Sequence, residues 1–453
     1  MTAADVLRIR NVEVDGARRD VAIHDRVIVA VEPAVGGRVY RDEIDGAGGA
    51  LIPGLHDHHI HLLALAAARQ SLVVDSMFAT TLSAAAQRAP AGNWLRAVGY
   101  HESMVGEIDR VWLDTIAPDH PVRVQHRSGA MWVLNSAALR AAGIESDSGR
   151  LFRLDDELRG RIPTAVPDVQ PVGRELARYG VTSVSDLTPI ATAADMTTLA
   201  AAVGHRDFAV DVMVTGAPSL HIGFPTGLDI GLEFGPAKVV VGDHDLPTIE
   251  ELVTAFRTAR RHGRPVAVHC VTRVGLILAL AAWEEVGAVN GDRIEHGAVI
   301  PVELIDVIRQ LDLIVVTQPS FTCERGDTYL AEVDPADLDG LWRCGSLIDA
   351  GIAVAASTDA PYGDADPWRA ILAATERLTA SGAPIGASER VTAARALSMF
   401  LTGAADPGGA VRRVEVGAAG NLCLLDAPLQ RVLSSPSSAH VVATIGRVGV
   451  SWR

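Results

Sequence analysis

Two textures alternate along the chain. At the N-terminal end, apolar and polar positions alternate with the period of a strand. Leu7-Arg8-Ile9-Arg10 is one such run, and Val12-Glu13-Val14 resumes it after a one-residue slip at Asn11. Val27-Ile28-Val29-Ala30-Val31 is a compact apolar run, and Asp15-Gly16 and Gly36-Gly37 mark turns. The C-terminal end has the same texture, in Asn421-Leu422-Cys423-Leu424-Leu425 and His440-Val441-Val442-Ala443-Thr444-Ile445. These ends, residues 1–52 and 410–453, are expected to form one small β-sandwich domain.

The middle, residues 53–409, alternates strand-like runs with helical patterns. Candidate strands end at His59–His61, at Asp186 after Val181–Ser185, at Thr215 after Val210–Val214, and at Asp243 after Lys238–Val241. Others end at His269 after Pro265–Val268, at His296 after Arg293–Glu295, at Gln318 after Ile314–Thr317, and at Asp359 after Ile352–Ser357. Helical stretches such as Thr248–His262 and Pro301–Leu311 lie between them. Eight strands alternating with helices predict a (β/α)8 TIM barrel, whose catalytic face is the C-terminal end of its strands. The gap from Leu72 to Tyr179 is too long for an ordinary connection. It is expected to be an insertion at about residues 73–178, placed over the barrel mouth, with strands at Trp94–Tyr100 and Val122–His126.

Composition narrows the function. Of 453 residues 48% are hydrophobic and 21% charged, enough for a large core. The net charge of −15 argues against nucleic acid or an anionic membrane as partner, both of which select a basic face. With no apolar leader and no apolar stretch long enough to span a bilayer, a soluble, cytoplasmic protein is expected, acting on a small molecule and free to form a homo-oligomer. The four cysteines show no CxxC, so neither a disulfide framework nor a zinc ribbon is expected.

Four of the fifteen histidines fall in Pro53-Gly54-Leu55-His56-Asp57-His58-His59-Ile60-His61. On a strand, His59 and His61 share a face and can chelate one metal. His56 and His58 share the other face and read as structural, while Asp57 is expected to fix backbone or orient an imidazole. His269 and His296 each close a strand, and Asp359 closes the last one in Ser357-Thr358-Asp359-Ala360-Pro361. A carboxylate beside a metal can be both ligand and proton acceptor. Lys+Arg totals 40, yet Lys238 is the only lysine. Arginine stays protonated, whereas a desolvated amine can react with a carbonyl to give a Schiff base or with CO2 to give an N-carboxylate. A plain salt-bridging lysine is the other reading.

The ordered set His59, His61, Lys238, His269, His296 and Asp359 resembles the amidohydrolase superfamily of metal-dependent hydrolases, and the terminal β domain fits as well. Pro118-Asp119-His120-Pro121-Val122, Asn135-Ser136-Ala137-Ala138-Leu139 and Gly180-Val181-Thr182-Ser183-Val184 resemble more narrowly the branch containing N-substituted formamide deformylases. One departure stands out: that branch usually has a histidine after Ser-Gly in the insertion, and here the sequence is Ser128-Gly129-Ala130.

The resemblance implies one divalent metal on His59, His61 and Asp359, a second on His269 and His296, and a CO2-derived carboxylate on Lys238 bridging them. Zinc is the default for such ligands. It also implies cleavage of an amide, formamide or cyclic amide C–N bond by metal-activated hydroxide, with Asp359 as general base. His126, Asp243, His244, Arg273, Gln318 and Tyr362 are candidate substrate contacts at the mouth. Two alternatives are an inert binding or scaffold protein on the same fold and a deaminase. One deaminase branch has a glutamate three residues after the strand-five histidine, where this chain has Thr272.

Overall fold

The computed structural model describes residues 6–35, 43–129, 131–152, 158, 160–162, 166–190, 192–204, 208–220, 232–242 and 245–453. They divide into two compact units, Met1–Leu62 with Val169–Arg453, and Leu63–Asp168.

The first unit contains an eight-stranded parallel sheet: β1 (Leu55–Ile60), β2 (Val181–Asp186), β3 (Asp211–Gly216), β4 (Leu232–Val240), β5 (Val266–Cys270), β6 (Arg293–His296), β7 (Ile314–Thr317) and β8 (Val354–Ala356). Each strand pairs with the next in chain order. Beyond β8 the ring closes onto β1: Asp359 N–H donates to the His59 carbonyl at 2.8 Å, and His61 N–H to the Ala360 carbonyl at 2.9 Å. Helices lie between most strands, as in a (β/α)8 barrel. Helix Ile249–Arg261 shows why one forms. Thr248 and Glu251 make a reciprocal capping box, and Leu252, Val253, Phe256 and Ala259 bury one face. Pro301–Leu311 is instead a short 3-10 turn, Val302–Leu304, running into helix Ile305–Gln310.

The expected strand positions recur, with one correction that matters. The fourth strand begins at Leu232, not at Lys238. Gly235-Pro236 lies inside it and reads as a breaker in sequence, because proline removes a ladder donor. The ladder accommodates the proline at a register shift against β3. Lys238 therefore sits near the C-terminal end of β4, the end that faces the site.

The termini form two four-stranded sheets. One has the order Val27–Pro33, Ala17–His24, Val6–Val14, Glu43–Asp45; the other Gly449–Trp452, Val441–Gly446, Leu422–Leu425, Leu51–Pro53. Ile9, Val12, Val21 and Ile28 of the first sheet and Leu51, Leu422, Leu424 and Ile445 of the second share one core, so the pair is a β-sandwich. The slip at Asn11 is a bulge, with Asn11 at φ 55° and the register shifting between Ile9 and Val12.

The second unit has a five-stranded sheet in the order Arg150–Phe152, Met131–Leu134, Val122–His126, Leu95–Tyr100, Leu72–Val73. Asn135 gives the Asn-Ser-Ala-Ala-Leu motif a local job. Its Oδ1 accepts from Val122 N–H and Ala138 N–H, and its Nδ2 donates to the Ala117 and His120 carbonyls. Among the described residues no helix is long and apolar enough to cross a membrane, and the four cysteines form no disulfide.

Candidate metal centre at the barrel mouth

β1 delivers two imidazoles to the carboxylate that follows β8. His61 Nε2 lies 3.2 Å from Asp359 Oδ1, and His59 Nε2 lies 3.6 Å from the same oxygen. Two ligands on one zinc, each at about 2.0–2.1 Å in a tetrahedral shell, stand about 3.3 Å apart. The three side chains are thus spaced as ligands of one ion, with all three ligand atoms within 4.8 Å of one another.

His296, closing β6, has its ring 4.7 Å from that of His59, tilted to it, and 4.4 Å from that of His269 at the end of β5, edge-on. Its Nδ1 also lies 3.9 Å from Asp359 Oδ2. His296 and Asp359 adopt left-handed backbone, at φ 72° and 55°. Non-glycine residues rarely do so, and strain of this kind concentrates where side-chain aim matters.

Three buried atoms at this point have no protein hydrogen-bond partner: His59 Nε2, Lys238 Nζ and Asp359 Oδ1. Each such orphan costs about 1–3 kcal/mol unless a ligand satisfies it. Burial holds His59 and His296 well below the ordinary histidine value, and lowers His269 to about 3, with the Lys238 charge adding to the effect in each case. Burial also lowers Lys238, against the opposing pull of Glu295 and Asp359. Neutral imidazoles are the ligating form, and a neutral amine is the form that captures CO2. The donor set and its orphaned atoms fit a divalent cation.

Surrounding groups orient the candidate ligands. Glu295 Oε2 accepts from His59 Nδ1 at 2.6 Å, which directs His59 Nε2 into the site. The other Glu295 oxygen meets Arg293 Nε at 2.5 Å, all fully buried. Thr188 Oγ1 is 3.4 Å from His61 Nδ1. Sequence reasoning missed Glu295 and Thr188. Glu295 carried a signal, a carboxylate between two other polar residues on a buried strand. Asp57 accepts from the backbone N–H of His59 and of Thr358, and from the Thr358 hydroxyl, so it ties β1 to the segment after β8. His56 sits between Ser183 and Ser185, and His58 bonds Thr402, both away from the candidate metal ligands.

The expected substrate contacts are distributed differently. Gln318 is fully buried; its Oε1 meets His296 Nδ1 at 2.9 Å and its Nε2 donates to Ser357, so the chain itself takes both ends of the amide. Arg273 is paired with Asp337, a carboxylate of the chain itself. Tyr362 stays at the site, edge-on to His61 at 5.4 Å. His126 belongs to the second unit, beside Glu102 and His101. Asp243, His244 and Ala130 lie outside the described residues.

Known proteins share this architecture. An uncharacterized metal-dependent hydrolase from Pyrococcus horikoshii superposes with a TM-score of 0.78 at 19% identity, over 96% of this chain and 99% of that one. One from Pyrococcus furiosus gives 0.74 at 21% identity, over 91% and 97%. In sequence, the N-substituted formamide deformylase of Arthrobacter pascens is 24% identical over 88% of each chain. The profile of the Amidohydrolase family matches residues 42–446, nearly the whole chain, and with the barrel and its terminal β-sandwich this shows that the chain belongs to the amidohydrolase family.

Proposed function

We propose that this amidohydrolase cleaves an amide-type C–N bond of a small molecule at the centre built by His59, His61, Lys238, His269, His296 and Asp359. The observation that carries the reading is the convergence of His59, His61 and Asp359 beside the buried, unpartnered amine of the only lysine. His59, His61 and Asp359 would hold one divalent ion, and His269 and His296 a second, with carboxylated Lys238 between them. Zinc suits this mixture of imidazole and carboxylate. Bound there, such ions lower the pKa of water to about 7 and polarise a carbonyl.

The remaining work falls to the chain's own side chains. Asp359 takes a proton from the attacking water as its oxygen bonds to the carbonyl carbon. It returns that proton to the nitrogen as the C–N bond breaks, leaving a carboxylic acid and an amine. Glu295 and Gln318 hold the His59 and His296 rings through their Nδ1 atoms. Tyr362 walls the site beside His61 and shapes the pocket for the leaving group. The relative from Arthrobacter pascens is named for deformylation of N-substituted formamides, which favours N-formyl and N-acyl amines as first substrates. A deaminase of the branch with a glutamate three residues after the strand-five histidine would need a carboxylate where Thr272 stands, and Thr272 caps helix Arg273–Val286.

The test is metal analysis of protein purified without chelator, together with turnover of a panel of N-formyl amines, N-acyl amines and cyclic imides. One to two equivalents of a divalent ion are expected. Activity should fall at least 10²-fold in Asp359→Asn, roughly the contribution of a positioned base. A folded, fully active protein that holds no metal would refute the proposal.

A further inference from the structure

β1 delivers the His59–His61 pair through an irregularity in its ladder. From Val184 to Asp186 β2 advances two residues, while the partners on β1 advance three, from Asp57 to Ile60. One extra residue is taken up across His58 and His59. A bulge of this kind breaks the ladder locally and re-aims side chains. The strand then ends at Ile60, so the backbone around His61 has to find partners outside the ladder. On the β8 side His61 N–H reaches the Ala360 carbonyl at 2.9 Å. On the β2 side the partner is a side chain, the carboxylate of Asp186.

Asp186 is fully buried at the end of β2. Its Oδ2 accepts at 2.8 Å from the N–H of Leu62, the residue after His61. Its Oδ1 accepts at 3.0 Å from the N–H of Thr188, whose own Oγ1 lies 3.4 Å from His61 Nδ1. The main chain of Asp186 is fixed as well. Leu187 N–H donates to the Ile60 carbonyl at 2.9 Å, and the Thr215 hydroxyl of β3 donates to the Asp186 carbonyl at 2.9 Å. One carboxylate therefore grips both sides of His61: the backbone that follows it and the residue that faces its ring. The arrangement needs two acceptor oxygens. An amide offers one, and turns its NH2 group toward the other N–H.

We infer that Asp186 is a positioning residue of the metal centre, setting the aim of the His61 imidazole through Leu62 and Thr188. This role rests on the reading of His61 as a metal ligand. Ligand geometry has to hold to within about 0.5 Å, and outer contacts that fix a ligand change metal affinity about 10–100-fold. The competing role is that of a loop anchor, which stabilises the fold and leaves the aim of His61 unchanged.

Asp186→Asn in the whole protein separates the two. Competition with a chelator reads zinc affinity, and the visible absorption of the cobalt-loaded protein reads ligand geometry. Asp186→Asn should bind zinc about 10–100-fold more weakly than wild type and shift the cobalt bands. Gly180→Ala is the control, because its Cβ meets Cys423 at the entry to the same strand and touches neither Leu62 nor Thr188. It should lose stability, yet keep the zinc affinity and cobalt spectrum of wild type. A folded Asp186→Asn protein with wild-type affinity and spectrum overturns the role, as does a Gly180→Ala protein that matches Asp186→Asn in both. Should Asp186→Asn not fold, Thr188→Val takes its place, removing only the hydroxyl that faces His61 Nδ1; wild-type affinity and spectrum there overturn the role equally. Wild-type protein that binds neither zinc nor cobalt refutes the metal centre and this role with it, so the two failures are told apart.

Discussion

Replacing Glu295 by glutamine tests how the centre is assembled. The carboxylate sits between two fully buried partners, accepting from His59 Nδ1 at 2.6 Å and from Arg293 Nε at 2.5 Å. An amide keeps the shape and loses the charge, so two consequences separate. Toward His59, the charged contact that fixes the tautomer becomes a neutral one. Loss of such an outer contact lowers metal affinity by about 10–100-fold, or about 1.4–2.7 kcal/mol. Toward Arg293, a guanidinium at 1% exposure, already with one unpartnered nitrogen, loses its counter-charge. Breaking a buried pair from one side costs about 3–5 kcal/mol of folding stability. Competitive chelator titration reads the first effect, and urea unfolding of the metal-free proteins reads the second. Adding Arg293→Met to Glu295→Gln removes the stranded charge, so most of the stability should return and none of the affinity. A folded Glu295→Gln protein that binds zinc as tightly as wild type would refute the argument that Glu295 aims His59.

Three other perturbations follow from the geometry. Lys238→Ala should lose bound metal and activity and regain part of both with a short carboxylic acid; full activity without the acid removes the bridging role. Burial first, then Arg412, keeps His56 well below the ordinary histidine value of 6.5. The unfolded chain therefore takes up the extra proton as pH falls below 6.5, and stability declines from there downward. In His56→Asn that acid slope should be shallower by up to about 1.4 kcal/mol per pH unit, read by denaturant titrations, and parallel slopes would contradict it. Gly180 enters β2 at φ 82°, and a Cβ there would meet Cys423 Sγ at 2.6 Å. Left-handed strain plus overpacking should cost Gly180→Ala about 2–4 kcal/mol, and a wild-type unfolding midpoint would refute this.

Much of this was legible in the sequence because each part rests on a local rule. Strand alternation around Asn11 revealed even the bulge, since one extra residue inverts the in-out phase of a strand. The HxH pair and the strand-end histidines were legible because a strand places side chains two apart on one face. What was hidden depends on through-space partners. Gly235-Pro236 masked the start of β4, because the register shift that accommodates it lies between chain segments. Gln318 looked like a mouth residue from its place after β7, yet its partners are His296, which ends β6, and Ser357, which follows β8. Glu295 was overlooked because its contact with His59, 236 residues away in the chain, exists only once the barrel closes. The left-handed backbone at His296 and Asp359 had no sufficient local signal: Asp and His adopt it more often than other non-glycine residues, yet still rarely.

The solitary lysine, 5% exposed on β4, has a practical corollary. A lysine-directed protease has one place to cut, and in the closed barrel the scissile peptide is locked in the ladder with β5. Cleavage therefore reports a single event, the opening of the strand that carries the amine, with no background from surface sites. The rate of that one cut, followed as metal is added or withdrawn, would measure how firmly the centre clasps the barrel wall around it, without any label or engineered probe.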